Sequence, residues 1–89
     1  MIDQFISYIE SERRYSPLTV RNYRRDIANF TEWFKSQTAS SEFDASKVSA
    51  EDISNWVIYR LDTADLSPTS MNRELSSIKS LFRYLRRRG

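Results

Sequence analysis

Apolar residues recur along the chain at spacings of three and four, which is the period of a helix that buries one face. The first stripe runs from Ile2 through Phe5 and Ile6 to Ile9, which predicts a helix over about residues 2–14. The chain has one glycine and no run of β-branched residues between turn signals, so a sheet is not expected. The pattern therefore predicts an all-α fold.

Two further helices share a start signal, a serine followed by a proline, at residues 16–17 and 67–68. Serine caps the amides of a first helical turn, and proline at the first helical position loses no useful donor. The second helix, predicted to run to about residue 36, has the apolar stripe Val20, Tyr23, Ile27, Phe30 and Phe34, with Trp33 beside it. The fourth helix has the stripe Met71, Leu75, Ile78, Phe82 and Leu85. A shift of 51 residues superposes both start signals and most of both stripes. This match indicates either that the two helices share a design for related roles or that they only share the features common to capped helices.

The segment between these helices contains a loop and a third helix. Residues 37–47 are rich in serine and have no period, which predicts a loop that Phe43 and Val48 hold to the core. Ser49 and Asp52 have the spacing of a capping box and open the third helix. Its apolar face consists of Ile53, Trp56, Val57 and Leu61.

The composition limits the chain to one small domain. Its 89 residues include 13% aromatic residues, enough bulky material for a core. The sequence has no Cys and no His, which excludes disulfides, zinc fingers, thiol catalysis and histidine acid–base chemistry. No apolar run approaches the roughly 20 residues that span a bilayer, and the N-terminus does not begin with a basic and then an apolar region. We therefore expect a cytoplasmic domain that does not enter a membrane.

The net charge of +2 conceals four blocks of alternating sign. Residues 1–12 and 37–65 carry net charges of −3 and −4, whereas residues 13–36 and 66–89 carry +4 and +5. Of the 14 basic residues, 11 are arginine, whose planar fork suits phosphate oxygens and base edges. The second and fourth helices are therefore candidate contacts for a polyanion.

The predicted outer surface of the fourth helix is basic and carries several short side chains. One row consists of Asn72, Ser76, Lys79, Arg83 and Arg86, and the row beside it consists of Arg73, Ser77, Ser80, Tyr84 and Arg87. Serine and asparagine between arginines let a helix backbone approach a phosphate strand, and only Glu74 interrupts the positive charge. Hydroxyl donors at the two helix starts add to this surface; they are Ser16, Thr19, Ser67, Thr69 and Ser70. The alternative interpretation is a solvated surface with capping hydroxyls and no ligand.

No catalytic site is predicted. Glu51 and Asp52 lie in the first turn of the third helix, where acidic side chains cap backbone amides and interact favourably with the helix dipole. Tyr84 has no base beside it and is interpreted as a residue at the core margin rather than a nucleophile. Trp33 and Trp56 lie on or beside apolar stripes and are interpreted as core residues.

Two segments of the chain resemble the N-terminal core-binding domain of tyrosine recombinases, the family of phage integrases and Xer-type enzymes. They are residues 16–30, SPLTVRNYRRDIANF, and residues 66–85, LSPTSMNRELSSIKSLFRYL. The resemblance covers nearly the whole chain and implies a four-helix SAM-like bundle, with residues 1–89 forming a single core-binding domain. In this family the second and fourth helices face the major groove of a double-stranded DNA recombination site.

Carried over position by position, the resemblance implies a set of DNA contacts on both helices. They are Ser16, Thr19, Arg21, Asn22 and Arg25 on the second helix, and Ser70, Asn72, Arg73, Ser77, Lys79, Ser80 and Arg83 on the fourth. Base readout is expected from Asn72, Arg73 and Ser77. Family members often have arginine where this chain has Lys79, which reduces a forked contact to a point charge.

The resemblance also implies what the rest of the protein does. The family's catalytic residues belong to a C-terminal domain that is absent from this chain, so this fragment is expected to bind DNA without cutting it, with Gly89 beginning the interdomain linker. Strand cleavage in the family proceeds through a phosphotyrosine and implies no metal or other cofactor. The implied partners are the recombination site, a catalytic domain in cis and further recombinase protomers in a synaptic tetramer.

Three hypotheses follow for the function of the chain. The first is a DNA-binding module of a site-specific recombinase or integrase. The second is a helical protein–protein adaptor in which acidic helices of one molecule meet basic helices of another. The third, a helix-turn-helix regulator, fits the loop between the first two helices and the long fourth helix poorly.

Overall fold

The computed structural model describes residues 2–39 and 41–88, with side chains up to residue 87. Its helices are α1 (Ile2–Ser11), α2 (Pro17–Thr38), α3 (Ala50–Asp62) and α4 (Pro68–Arg88), and a short 3-10 helix spans Ala45–Lys47 within the predicted loop. The described residues contain no strand, and the predicted all-α, four-helix fold is confirmed. Gly89, where a linker is predicted to begin, lies outside the described residues.

The core lies where the four helices meet. Phe30 on α2 is fully buried and packs edge-on against Trp56 of α3, with 5.2 Å between the ring centroids, and against Phe82 of α4. The predicted anchors Phe43 and Val48 pack against this core from the loop. The buried apolar residues are Phe5, Ile6, Ile9, Val20, Ile27, Phe30, Phe34, Trp56, Met71, Ile78, Leu81 and Tyr84.

The predicted helix caps are present. Ser16 Oγ accepts the Thr19 N–H at 3.2 Å, and Ser67 Oγ accepts the Ser70 N–H at the same distance. The capping box at Ser49 is also confirmed, because its hydroxyl and its N–H both pair with Asp52. These side chains satisfy amides that have no partner inside a helix.

The turns that enter α2 and α4 are built alike. The N–H groups of Arg13 and Tyr15 donate to the carbonyls of Tyr8 and Ile9, and the four residues 51 positions later repeat both bonds. Each turn also contains a residue in the left-handed region: Arg14, with a φ of 52°, in the first and Asp65, with a φ of 54°, in the second. The shift of 51 residues therefore relates two turns as well as two helices. The first turn ends α1 at residue 11, so the prediction that α1 continues to about residue 14 is wrong.

We expect Arg14→Gly to raise the melting temperature. A residue with a Cβ costs about 1–2 kcal/mol in the left-handed region, and glycine removes this cost. The added freedom of glycine in the unfolded chain offsets about 0.4–1 kcal/mol of the resulting stabilisation. A net gain of about 1 kcal/mol corresponds to roughly 4–8 °C in a domain of this size, measurable by circular dichroism. Asp65→Gly gains less because aspartate tolerates this conformation.

Glu12→Gly is the matched control for this prediction. Glu12 lies in the same turn, but its φ is not positive, so glycine there adds only unfolded-state entropy and lowers the melting temperature. A lower melting temperature for Arg14→Gly would show that the Arg14 side chain contributes more than its backbone costs.

Candidate nucleic-acid interface

The acidic residue in the N-terminal part of α2 is buried and paired with α4. Asp26 has 0% of its surface exposed, and both of its carboxylate oxygens accept from Nη1 of Arg73, at 3.1 and 2.9 Å. The hydroxyl of Ser77 donates to Oδ2 of the same carboxylate at 2.8 Å. A buried charge needs such partners, so this network joins α2 and α4 at a defined point.

The single acidic residue of α4 is buried as well. Glu74 is 2% exposed, and it accepts from Nε and Nη2 of Arg60 on α3 at 3.0 and 2.7 Å. This forked pair raises the pKa of Arg60, chiefly through the hydrogen bonds to Glu74. Glu74 therefore does not interrupt the surface charge of α4, contrary to its position in the predicted pattern.

The exposed surface of the two long helices is consequently basic where the sequence predicts a DNA contact. The predicted first row on α4 is exposed throughout; it consists of Asn72, Ser76, Lys79, Arg83 and Arg86. On α2, Arg21, Arg24 and Arg25 are exposed before the first exposed acid of that helix, Glu32. Arg25 also donates to Oδ1 of Asn22 at 3.3 Å. We call the exposed basic residues of α2 and α4 the basic face.

The second predicted row on α4 is partly wrong. Ser77 is 1% exposed and its hydroxyl is bonded to Asp26, so it is not available for the predicted base readout. Tyr84 of the same row is buried, as its interpretation as a core-margin residue required. Helical spacing predicts this row at the surface, but Ser77 is bonded to Asp26 of α2 and Tyr84 packs against Phe5 and Tyr8 of α1.

Arg73 remains at the surface but is already engaged. Its side chain is 41% exposed, Nη1 is bonded to Asp26, and Nη2 lies 3.9 Å from Glu74 Oε2. The guanidinium therefore bridges the interior of the bundle and the basic face. A DNA contact through Arg73 would use the part of the fork that does not face these acids.

The other predicted contacts differ in exposure. Those exposed are Ser16, Arg21, Arg25, Asn72, Lys79 and Arg83, and those half-buried are Thr19, Asn22, Ser70 and Ser80. Four of the five predicted hydroxyls at the helix starts interact within the caps: those of Ser16 and Thr19 pair at 2.9 Å, and that of Ser67 donates to that of Ser70 at 3.1 Å. Burial raises the pKa of Tyr23, and a hydrogen bond from the Ser80 hydroxyl opposes this shift.

Sequence reasoning missed the structural roles of Asp26, Glu74 and Arg60. Asp26 lies three residues after Tyr23 and four before Phe30, so the helical period places it inside the apolar stripe. Glu74 likewise follows a buried residue by three positions and precedes another by four. A lone acid at such a position was the available signal for a buried carboxylate.

No helix in the described residues combines the length and the apolar character of a membrane span.

The tyrosine-recombinase resemblance is supported by similarity to known proteins. The chain is 38% identical over 88 residues to the tyrosine recombinase XerC of Lactobacillus delbrueckii subsp. bulgaricus and 32% identical over 88 residues to that of Oceanobacillus iheyensis. It is 31% identical over 84 residues to the tyrosine recombinase XerD of Rickettsia bellii. These alignments cover 98%, 99% and 94% of this chain.

The chain spans between 26% and 28% of the length of these three relatives. No solved structure matches the chain at comparable stringency. A family model for the phage integrase N-terminal SAM-like domain matches residues 2–89. That match spans all four helices, and the chain therefore belongs to the family of phage integrase N-terminal SAM-like domains.

Proposed function

We propose that this chain is the DNA-gripping module of a site-specific tyrosine recombinase. In this proposal α2 and α4 hold double-stranded DNA at the recombination site, while another part of the parent protein cleaves and rejoins the strands. The chain itself is not catalytic, and the parent protein acts with further recombinase protomers in a synaptic assembly. Membership of the family and the names of the relatives support the proposal.

The observation that supports a DNA contact most directly is the positive charge of the exposed side chains on α2 and α4. The acids within the basic stretches of α2 and α4, Asp26 and Glu74, are buried and paired, so the side chains left at the surface of those stretches are basic or neutral. Arginine and lysine on such a face anchor phosphates and fix the register of a duplex. Base readout is left to exposed polar residues such as Asn72 and the outer part of Arg73.

The test of this proposal is an amide NMR titration with a short duplex at about 50 mM and about 200 mM salt, a range over which phosphate contacts weaken strongly. We expect shifts in residues 16–25 and 70–83 that fade at the higher salt concentration. Binding by a few phosphate contacts is expected to be micromolar or weaker without the remainder of the protein. Absence of shifts at both concentrations would contradict the proposal.

We expect the double variant Arg21→Ala/Lys79→Ala to lower the salt dependence of duplex binding. Each residue is exposed, one on each helix, and no ion pair within the described chain involves either. Loss of two phosphate contacts reduces the slope of log affinity against log salt by about 1.8, at about 0.9 per contact. Fluorescence anisotropy with a labelled duplex over a salt series measures this slope.

The charge-matched control is Lys35→Ala/Lys47→Ala. Lys35 pairs with Glu32 in the C-terminal part of α2, and Lys47 belongs to the 3-10 helix, so neither lies in the stretches proposed to contact DNA. The control is expected to keep the wild-type slope. Equal slopes for both double variants would show that net charge alone, and not the basic face, determines binding.

The protein–protein adaptor remains the second candidate because α3 exposes apolar surface. Ile58 is 57% exposed, and Tyr59 beside it is 38% exposed and packs against Trp33. NMR shifts confined to α3, dependent on protein concentration and independent of DNA, would favour the adaptor.

A further inference from the structure

A small cleft lies between α1, α2 and the C-terminal half of α4. Its volume is about 210 Å³, smaller than the roughly 300–1,000 Å³ of sites for drug-sized molecules. Four of the chain's five tyrosines line it, namely Tyr8, Tyr15, Tyr23 and Tyr84. Such a convergence of aromatic rings within one small domain is a feature that the basic face does not account for.

The rings form a continuous wall. Tyr84 packs against Phe5 and Tyr8, with centroid distances of 5.4 and 5.0 Å, and Tyr23 packs against Tyr15 at 5.5 Å. The Tyr23 ring also stacks on Phe5, with 6.1 Å between the centroids, so the two pairs are joined. The cleft therefore offers pre-ordered aromatic surfaces with hydroxyl groups among them.

Three arginines stand around this wall, against one carboxylate, that of Glu12. The Arg13 guanidinium lies 5.6 Å from the centroid of the Tyr15 ring, and a hydrogen bond with Tyr8 is the main cause of its raised pKa. Arg83 and Arg87 are exposed on α4 at the other side of the cleft. The rim is therefore net positive, and its guanidinium groups suit phosphate oxygens.

We propose that this cleft binds one unstacked nucleotide of a DNA strand. The base lies against the tyrosine rings, and the adjoining phosphates contact Arg13, Arg83 and Arg87. Stacking on aromatic side chains is a general mode of single-strand recognition, and it does not require a particular base. The inference rests on the proposed function in that the ligand is DNA, but it adds a single-stranded site to a face proposed to hold duplex.

A nucleotide fits the surroundings better than a peptide does. Arg83 lines the cleft and belongs to the same exposed row of α4 as Lys79 and Arg86, so positive charge continues from the cleft along the helix. Such a stripe suits a chain of phosphates. A bound peptide would also need main-chain partners, whereas helices satisfy most of their own backbone groups internally.

The test compares three fluorescent probes by anisotropy at about 50 mM salt, where phosphate contacts are strong. They are an oligothymidylate, a strand of equal length made of abasic units, and a duplex. We expect the wild-type chain to bind the oligothymidylate about tenfold more tightly than the abasic strand, the value of stacking one base. Equal affinity for the two single strands would overturn the proposal, and unchanged duplex binding would then leave the proposed function standing.

Variants locate the effect within the cleft. Tyr8→Leu is expected to abolish the preference for the base-bearing strand. Arg87→Ala is expected to weaken binding of both single strands several-fold. Lys47→Ala, which removes one charge elsewhere, is expected to change neither the preference nor the affinity. If Tyr8→Leu does not fold by circular dichroism, the wild-type comparison and Arg87→Ala still decide. An acidic peptide with one aromatic residue that binds as tightly as the oligothymidylate and competes with it would assign the cleft to a protein partner and overturn the proposal.

Discussion

Arg60→Ala is expected to lower the free energy of unfolding by about 3–5 kcal/mol, because it leaves a buried carboxylate without its forked partner. Glu74 is almost completely buried, and after the substitution the nearest cation in its ion-pair network is Arg73, at 3.9 Å. A small domain is stable by about 5–15 kcal/mol in total, so the loss is a large share of its stability. Urea unfolding followed by circular dichroism at pH 7 measures it.

Two further variants separate this buried pair from an ordinary surface pair. Replacing both partners, as Arg60→Met with Glu74→Leu, is expected to restore stability to within about 1–2 kcal/mol of wild type, because no uncompensated charge remains. Lys35→Ala breaks the pair with Glu32, whose side chain is 73% exposed, and is expected to cost less than about 1 kcal/mol. A cost for Arg60→Ala as small as that of Lys35→Ala would contradict the structural role of the Arg60 pair.

The helices and their starts could be predicted from the sequence because they depend on local chemistry. The Ser-Pro pairs at residues 16–17 and 67–68 begin α2 and α4 where expected, and the capping box at Ser49 begins α3. Each signal acts within one turn of the chain, so no knowledge of the tertiary structure is needed. The predicted end of α1 is wrong because the chain leaves the helix after Ser11 in a turn that contains a left-handed Arg14, a conformation that arginine does not signal in a sequence.

The rotation of α4 could be predicted only in part. The predicted apolar stripe faces the core, with Met71 and Ile78 buried and Leu75, Phe82 and Leu85 half-buried against it. The polar Glu74 and Ser77 are buried as well, which the stripe does not predict. Hydrophobic period treats a charged residue as a surface residue. Burial of Glu74 depends on Arg60, 14 residues earlier, and burial of Ser77 depends on Asp26, 51 residues earlier. Only the packed structure brings these partners together.

The two buried acids also clarify how the candidate interface is organised. Asp26 and Glu74 each bind an arginine from another helix, and Arg73 approaches both of them. Arg73 therefore belongs both to the surface that is proposed to hold DNA and to the buried ion pairs between the helices. A substitution at this position is expected to change stability and DNA affinity together.

Arg73→Ala is expected to lower the free energy of unfolding by about 3 kcal/mol, at the lower end of the range for broken buried pairs. The substitution removes both hydrogen bonds that Arg73 makes with the fully buried Asp26, and it leaves that carboxylate with the Ser77 hydroxyl and with Arg25 at 3.9 Å. Thermal unfolding measures the loss. Asn72→Ala, at the exposed neighbouring position, is the control and is expected to leave stability nearly unchanged.

The same variant determines how weakened DNA binding at this position is to be interpreted. Arg73→Ala leaves the buried Asp26 carboxylate without its arginine partner and is therefore expected to destabilise the fold. In a partly unfolded sample, a loss of duplex affinity does not show that Arg73 contacts DNA directly. Arg73→Lys keeps a cation beside Asp26 but removes the planar fork, so it is expected to retain most of the stability while losing any two-point contact with a base or phosphate. Measuring melting temperature and duplex affinity on both variants separates the two roles. Full stability of Arg73→Ala together with weakened duplex binding would show that Arg73 acts on DNA directly and that Asp26 does not depend on it.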